Sequence, residues 1–297
     1  MKLSIAIFCA GLLLVPTFAS AADAPKKLLV VTTTAGFRHS SIPTAEKVLS
    51  ELAEKSKAFT VEFVRQPEGK LSAVGGPSAE TRAALQEELK APLSKLSAES
   101  LKNYDGIIFA NTTGDLPIPD KEGFLAWVRS GKAFIGMHAA GDTFPKWPEF
   151  IEMVGAHFQS HGPQVGVECC VDDPTHPSTA HLGKLWPIAQ EEIYLFKNYD
   201  RSRVKNLLSL EKHPNSGAAG HFPVAWTREY GQGKVFYTSL GHREDIWDAD
   251  PNLRDRKNSV EVSKAYQVHI LGGIYWALGL RESPMIWDKV APAAQQF

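Results

Sequence analysis

Apolar runs that break abruptly into polar loops recur along this chain, and that switch predicts most of its elements. Residues 28–33 (Leu-Leu-Val-Val-Thr-Thr) form a continuous β-rich run, as expected of a strand buried on both faces. The run gives way to Ala35-Gly36-Phe37-Arg38-His39-Ser40-Ser41. A helix is predicted next: Ser41 can cap it, Pro43 suits its first turn, and Ile42, Ala45, Val48, Leu49 and Leu52 share one face. Residues 59–64 alternate and read as a second strand. A third apolar run at 104–110 ends in Asn111-Thr112-Thr113-Gly114-Asp115, and a helix over 120–129 turns Phe124, Leu125 and Val128 inward. The run 133–137 ends in His138-Ala139-Ala140-Gly141-Asp142, an elbow with histidine at its tip. This β-loop-α alternation predicts an α/β fold with a doubly wound, mostly parallel sheet.

The second half has a different rhythm. A short helix is expected over 147–154, and strands over 164–171 and 204–210. Runs 224–228 and 234–238 flank Gly231-Gln232-Gly233 and predict an added β-hairpin. Its second arm ends in Leu240-Gly241-His242-Arg243-Glu244-Asp245. A last helix, 260–278, is apolar round much of its circumference and should pack on the sheet. Between 66 and 96, Gly75-Gly76-Pro77 breaks the chain and the helix-prone stretch 78–93 reads as a surface excursion.

The N-terminus changes the picture of where the chain works. Lys2, an apolar run over 3–18 and Ala19-Ser20-Ala21 match a secretory signal at 1–21 with an A-x-A cleavage site. The expectation is an exported protein, periplasmic or extracellular, with one domain over 27–280, a tail over 281–297 and no membrane span after cleavage. Its oligomeric state is left open. Net charge is −1 with mixed signs, so nucleic acid is not an expected partner. Beyond Cys9 the cysteines are Cys169 and Cys170. Adjacent cysteines rarely pair, because the bridge would be strained, and both read as small apolar residues on a strand.

The loops after the four apolar strands carry Arg38 and His39, then Asp115, then His138 and Asp142, then His242 and Arg243. If the strands share one sheet, these residues converge on the crevice at its carboxyl edge, where open α/β sheets bind ligands. An ordinary reading stands beside each. Asp115 and Asp142 suit turns, His138 suits a hydrogen-bonded core, and an arginine fork suits a carboxylate, a sugar or plain solvent. His157 and His161 stand four apart and could ligate a metal from one helix face, but Gly162-Pro163 argues against a sustained helix there. No Glu follows His157, so the helical zinc-protease signature is absent. Glu191 and Glu192 beside Tyr194 suit either a sugar surface or an edge strand with solvent-facing acids. Trp147, Trp226 and Trp247 suit either core or platform.

The ordered motifs Gly36-Phe37-Arg38-His39, Thr112-Thr113-Gly114-Asp115, Gly136-Met137-His138-Ala139-Ala140-Gly141-Asp142-Thr143, Gly155-Ala156-His157-Phe158-Gln159-Ser160-His161, Glu191-Glu192-Ile193-Tyr194, Pro223-Val224-Ala225-Trp226 and Tyr237-Thr238-Ser239-Leu240-Gly241-His242 resemble the ThuA-like (trehalose utilisation) family. The resemblance covers about residues 27–280 and implies a flavodoxin-like fold related to class I glutamine amidotransferases. Those enzymes keep a nucleophilic Cys at the elbow that His138 occupies here, so thiol chemistry is disfavoured. Two departures stand out: the long 66–96 segment, and His157 where the family pattern often has an aromatic, which leaves His161 as the better metal candidate.

The family association implies a disaccharide or 3-keto-glycoside ligand. The expected catalytic groups are His39, His138, Asp142 and His242. The expected substrate contacts are Arg38, Asp115, Glu192, Tyr194 and Arg243. A divalent metal, zinc or manganese, is the candidate cofactor, with His161 as its ligand. The leaning is towards a hydrolase or lyase acting on a small-molecule carbohydrate. Two alternatives stand: a carbohydrate-binding accessory protein without turnover, and a divergent amidotransferase-like hydrolase lacking the Cys nucleophile.

Overall fold

The computed structural model describes residues 24–69 and 74–280. The expected export signal at 1–21, with Cys9, and the tail at 281–297 lie outside the described residues. The first half runs β1 (Lys26–Val31), α1 (Ile42–Ser56), β2 (Phe59–Val64), α2 (Ala79–Leu93), α3 (Ala98–Leu101), β3 (Gly106–Ala110), α4 (Lys121–Arg129), β4 (Ala133–Met137) and α5 (Pro148–Val154). The second half adds β5 (His157–His161), β6 (Val165–Val171), β7 (Leu185–Glu191), β8 (Tyr194–Lys197), β9 (Lys205–Lys212), β10 (Ala219–Tyr230), β11 (Gly233–Thr238), α6 (Glu244–Trp247) and α7 (Val260–Leu278).

Nine strands form one sheet in the order β2-β1-β3-β4-β11-β10-β9-β6-β7. The first five are mutually parallel, which is the doubly wound, flavodoxin-like order with β11 as fifth strand. The rest are added antiparallel. The expected hairpin is present as β10–β11, but it is no appendage: its second arm sits between β4 and β10.

Burial on both faces explains the unbroken apolar runs. In β1, Leu28 and Val30 enter the core with Leu49 of α1 and Tyr266 and Ile270 of α7. Leu29 and Val31 enter the opposite core with Leu89 of α2, Phe124 of α4 and Phe150 of α5. The period-two alternation of a strand sends neighbours to opposite layers. Trp147, Trp226 and Trp247 are all buried core residues.

Several expectations are corrected. Ser41 makes no cap bond; its hydroxyl donates instead to the Gly241 carbonyl and accepts from Asn111. Ser78 does cap α2, and Leu85, Leu89 and Leu93 are buried, so that stretch packs on the core rather than merely covering it. His157 and His161 lie on β5, paired with β8, in keeping with the Gly162-Pro163 argument against a helix there. Glu191 and Glu192 are buried, because the chain leaves β7 and turns inward before β8.

Candidate functional site

β1, β3, β4 and β11 are adjacent, so the loops at their carboxyl ends meet at one edge of the sheet. β4 ends in a 3-10 turn over His138–Asp142. His138 has φ +47, a left-handed conformation that a non-glycine residue adopts at some cost. Two contacts hold it there. Tyr237 of β11 donates its hydroxyl to the His138 carbonyl at 2.6 Å, and the imidazole Nδ1 meets the Ser239 carbonyl at 2.7 Å. A carbonyl only accepts, so Nδ1 carries the proton and Nε2 presents its lone pair. Gly136 and Gly141 make room for the tyrosine, since a Cβ at either would lie within 3 Å of its ring or hydroxyl.

His39, His138, His242 and Glu192 face that lone pair and one another. One ring nitrogen of each histidine and one carboxylate oxygen all lie within 4.8 Å. His242 Nδ1 is 3.3 Å from His138 Nε2 and 3.3 Å from Glu192 Oε1. Glu192 Oε1 is 3.8 Å from His138 Nε2. Its other oxygen meets His161 Nδ1 at 3.0 Å. The rings of His39 and His138 pack edge to face, centroids 4.9 Å apart.

Burial separates the histidines electrostatically. It pushes His39 down to about 3, aided by repulsion from His242 and His161. It holds His138 well below the usual range, against the opposing bond to Ser239. Burial also works against a charge on His242, but the Glu192 hydrogen bond and the Glu192, Glu191 and Glu244 carboxylates outweigh it and raise that group. Two imidazoles held towards the neutral form thus stand beside one whose charged form Glu192 favours, a separation that suits acid–base work.

Arg38, Asp115 and Arg243 lie on the expected loops but turn elsewhere. The Arg38 guanidinium bonds the Thr32 carbonyl and Gln66. Asp115 is exposed and pairs with Lys121. Arg243 grips Asp245 and Gln164. Each fastens a loop and contributes no atom to the convergent set. Asp142 sits at the far end of the 3-10 turn, outside that set, and burial pushes its carboxyl up to about 6. Tyr194 is buried with its ring 4.5 Å from that of His138, so it backs the cluster rather than offering a free face. His161 joins through Glu192 rather than as a member of the four. Phe37, 48% exposed, stands at the rim with its ring 4.9 Å from that of His39.

Glu191 is the group that sequence reasoning missed. It is fully buried, and Oε1 accepts the backbone N–H groups of Glu192 and His242 at 3.0 and 2.9 Å, fixing two members of the cluster. Burial pushes its carboxyl up to about 8. Its only sequence signal was the doubled acid beside aromatics, which an edge strand explains equally well. The cysteines lie on β6, Cys169 buried with its thiol pushed up by burial. A large cavity of about 1330 Å³ runs along β6 and β7 towards the start of α7, but its lining includes none of the convergent groups. Chemistry belongs where polar side chains meet, so the histidine cluster is the candidate site.

None of the curated proteins matches this chain. Solved structures similar to it include a protein described as ThuA-like from Parabacteroides merdae ATCC 43184. It is 22% identical with a TM-score of 0.63, and the match covers 88% of this chain and 93% of that one. Another described in the same way, from Bacteroides uniformis ATCC 8492, is 20% identical with a TM-score of 0.61, covering 88% and 95%. Both show a shared fold. The profile of the ThuA family, described as trehalose utilisation, matches residues 27–277, and the chain belongs to that family.

Proposed function

We propose that this chain is an exported enzyme of carbohydrate utilisation, acting on a disaccharide or its 3-keto derivative at the histidine cluster. One observation carries the reading: three histidines and Glu192, delivered by four separate segments, aim acceptor atoms at one centre beside the carboxyl ends of the parallel strands. A core that needed only packing would not assemble a buried carboxylate and three imidazoles, since burying such groups is costly. The family's link to trehalose supports a sugar ligand, and the signal-like N-terminus supports export.

The rim suits a sugar. Phe37 offers an exposed aromatic face for the apolar side of a pyranose ring. His161, 44% exposed and bonded to Glu192, stands on the open side, where it can move a proton to or from a sugar oxygen or an acidified carbon. A glycosidic bond beside a keto group can break by loss of the proton next to the carbonyl, with the leaving oxygen protonated in the same site.

The test is incubation of the pure protein with trehalose, other disaccharides and their 3-keto derivatives, with free sugar followed by chromatography. Turnover of at least one member is expected. Phe37→Ala should raise KM by about tenfold, the scale of one lost sugar-stacking contact, with kcat little changed. Sugar-dependent thermal stabilisation with every ligand recovered intact would replace the enzyme with a binding protein.

A further inference from the structure

We infer that His39, His138, His242 and Glu192 form a mononuclear site for a zinc-class divalent cation. The inference deepens the proposed sugar chemistry by naming the electrophile of that site, and its evidence comes from donor arithmetic and geometry. His138 spends its only N–H on the Ser239 carbonyl, so Nε2 can only accept. Glu192 Oε1 also accepts. A single proton, that on His242 Nδ1, faces both at 3.3 Å. His39, nearly fully buried, has a ring nitrogen, Nδ1, with no partner at all. Two buried acceptors, on His138 and Glu192, therefore share one donor, and His39 adds a buried ring nitrogen without a partner, a shortfall that a cation removes.

The distances fit the same reading. Ligand bonds of about 2.0–2.1 Å place the donor atoms of a tetrahedral zinc about 3.4 Å apart. The separations in the structure are 3.3, 3.3 and 3.8 Å, with every pair inside 4.8 Å. Three imidazoles with one carboxylate favour zinc and its transition-metal neighbours over magnesium or calcium, which take oxygen ligands.

The surroundings are those of a ligand set. Ser239 orients the His138 ring, His161 holds the second oxygen of Glu192, and Glu191 pins the backbone of Glu192 and His242. Such outer partners fix ring orientation and raise ligand basicity. With four protein donors, a bound cation would reach a sugar carbonyl or water only by expanding to a fifth position, where it would polarise that oxygen, and His161, outside the four ligands, would be left to carry the proton.

The test needs no sugar. Protein purified without a histidine tag and stripped with chelator is titrated with zinc chloride, and separately with manganese chloride, by calorimetry. Bound metal is then counted by elemental analysis. About one equivalent of zinc is expected, bound more tightly than manganese, as the donor set dictates. His138→Ala and Glu192→Gln should each weaken zinc binding by about 100-fold or more, and His161→Ala by about tenfold. His176→Ala, far from the cluster, should leave it unchanged. Circular dichroism checks that each variant is folded. Cobalt(II) substitution, read by visible absorption, reports the ligand field of the conservative Glu192→Gln variant as well.

Zinc below a tenth of an equivalent in folded wild-type protein would overturn the inference. So would zinc binding that survives the His138 and Glu192 substitutions. Absence of sugar turnover with zinc bound would count against the substrate alone.

Discussion

Gly241 shows how much of the site rests on backbone geometry. Its φ of +126 lies in a region that side-chain-bearing residues rarely adopt. A Cβ there would sit 2.8 Å from the Tyr266 hydroxyl and 3.1 Å from the Trp247 ring. Its carbonyl accepts from Trp247, Asn111 and Ser41, so one peptide ties α1, β3 and α6 to the residue before His242. Gly241→Ala should cost about 2–4 kcal/mol, combining strain with displacement of a buried hydroxyl. The measurement is the urea midpoint, with zinc binding expected to weaken in the same variant. An unchanged midpoint would mean that the loop relaxes without loss. The histidines themselves were legible in the sequence because each follows an apolar strand. The inward aim of Glu192, the support from Glu191 and the diversion of Arg38, Asp115 and Arg243 were not. Those depend on where a loop turns after its strand, and one side chain beside a glycine does not encode that direction.

At the scale of elements, legibility followed burial. β1, β3, β4 and β11, covered on both faces, left unbroken apolar runs and were readable. β7 was hidden because apolar residues occupy some of its exposed positions and its last residue is a carboxyl turned inward. β5 and β8 are short and bulged, and a bulge erases the period on which strand reading depends. α2 lies between these cases. Its Leu85, Leu89 and Leu93 recur every fourth residue, which is a helical stripe, yet the polar remainder suggested a detached excursion. Its true role predicts that Leu89→Ala, at a fully buried position, destabilises the protein by about 2–4 kcal/mol through lost burial and a residual cavity. Chemical denaturation measures this, and a change below about 0.5 kcal/mol, typical of surface sites, would return α2 to the status of a surface attachment.

At the scale of the whole molecule, a second group of buried histidines is expected to add to the loss of stability in acid. His176, His181 and His269 lie between the 173–183 loop and α7. His181 meets the Ala265 carbonyl, and His269 the Ser178 carbonyl. Burial pushes His176 and His181 down to about 4 and His269 to about 3. Their folded values lie below the unfolded one, so the stability they contribute is full above about pH 6.5 and is lost as pH falls towards 4 and 3. Each costs about 1.4 kcal/mol per pH unit within that window. Three together remove about 8–12 kcal/mol over two to three units, most of a typical stability of about 5–15 kcal/mol. Far-UV circular dichroism should therefore show cooperative acid unfolding with a midpoint near pH 3.5–4.5. Native ellipticity retained at about pH 3 would mean that these histidines protonate in place.

The position of β11 has a consequence for synthesis. Among the described residues it is the middle strand of the nine in its sheet and the last strand in sequence. A growing chain makes β4 a hundred residues before the strand that will cover its second edge. Until residues 233–238 emerge, the apolar ribbon Ala133–Met137 stands with one row of backbone groups unpaired, the kind of edge on which chains aggregate. The same late strand brings the segment that ends in His242. Premature termination therefore leaves no smaller working version of this protein, only a sheet open at its centre.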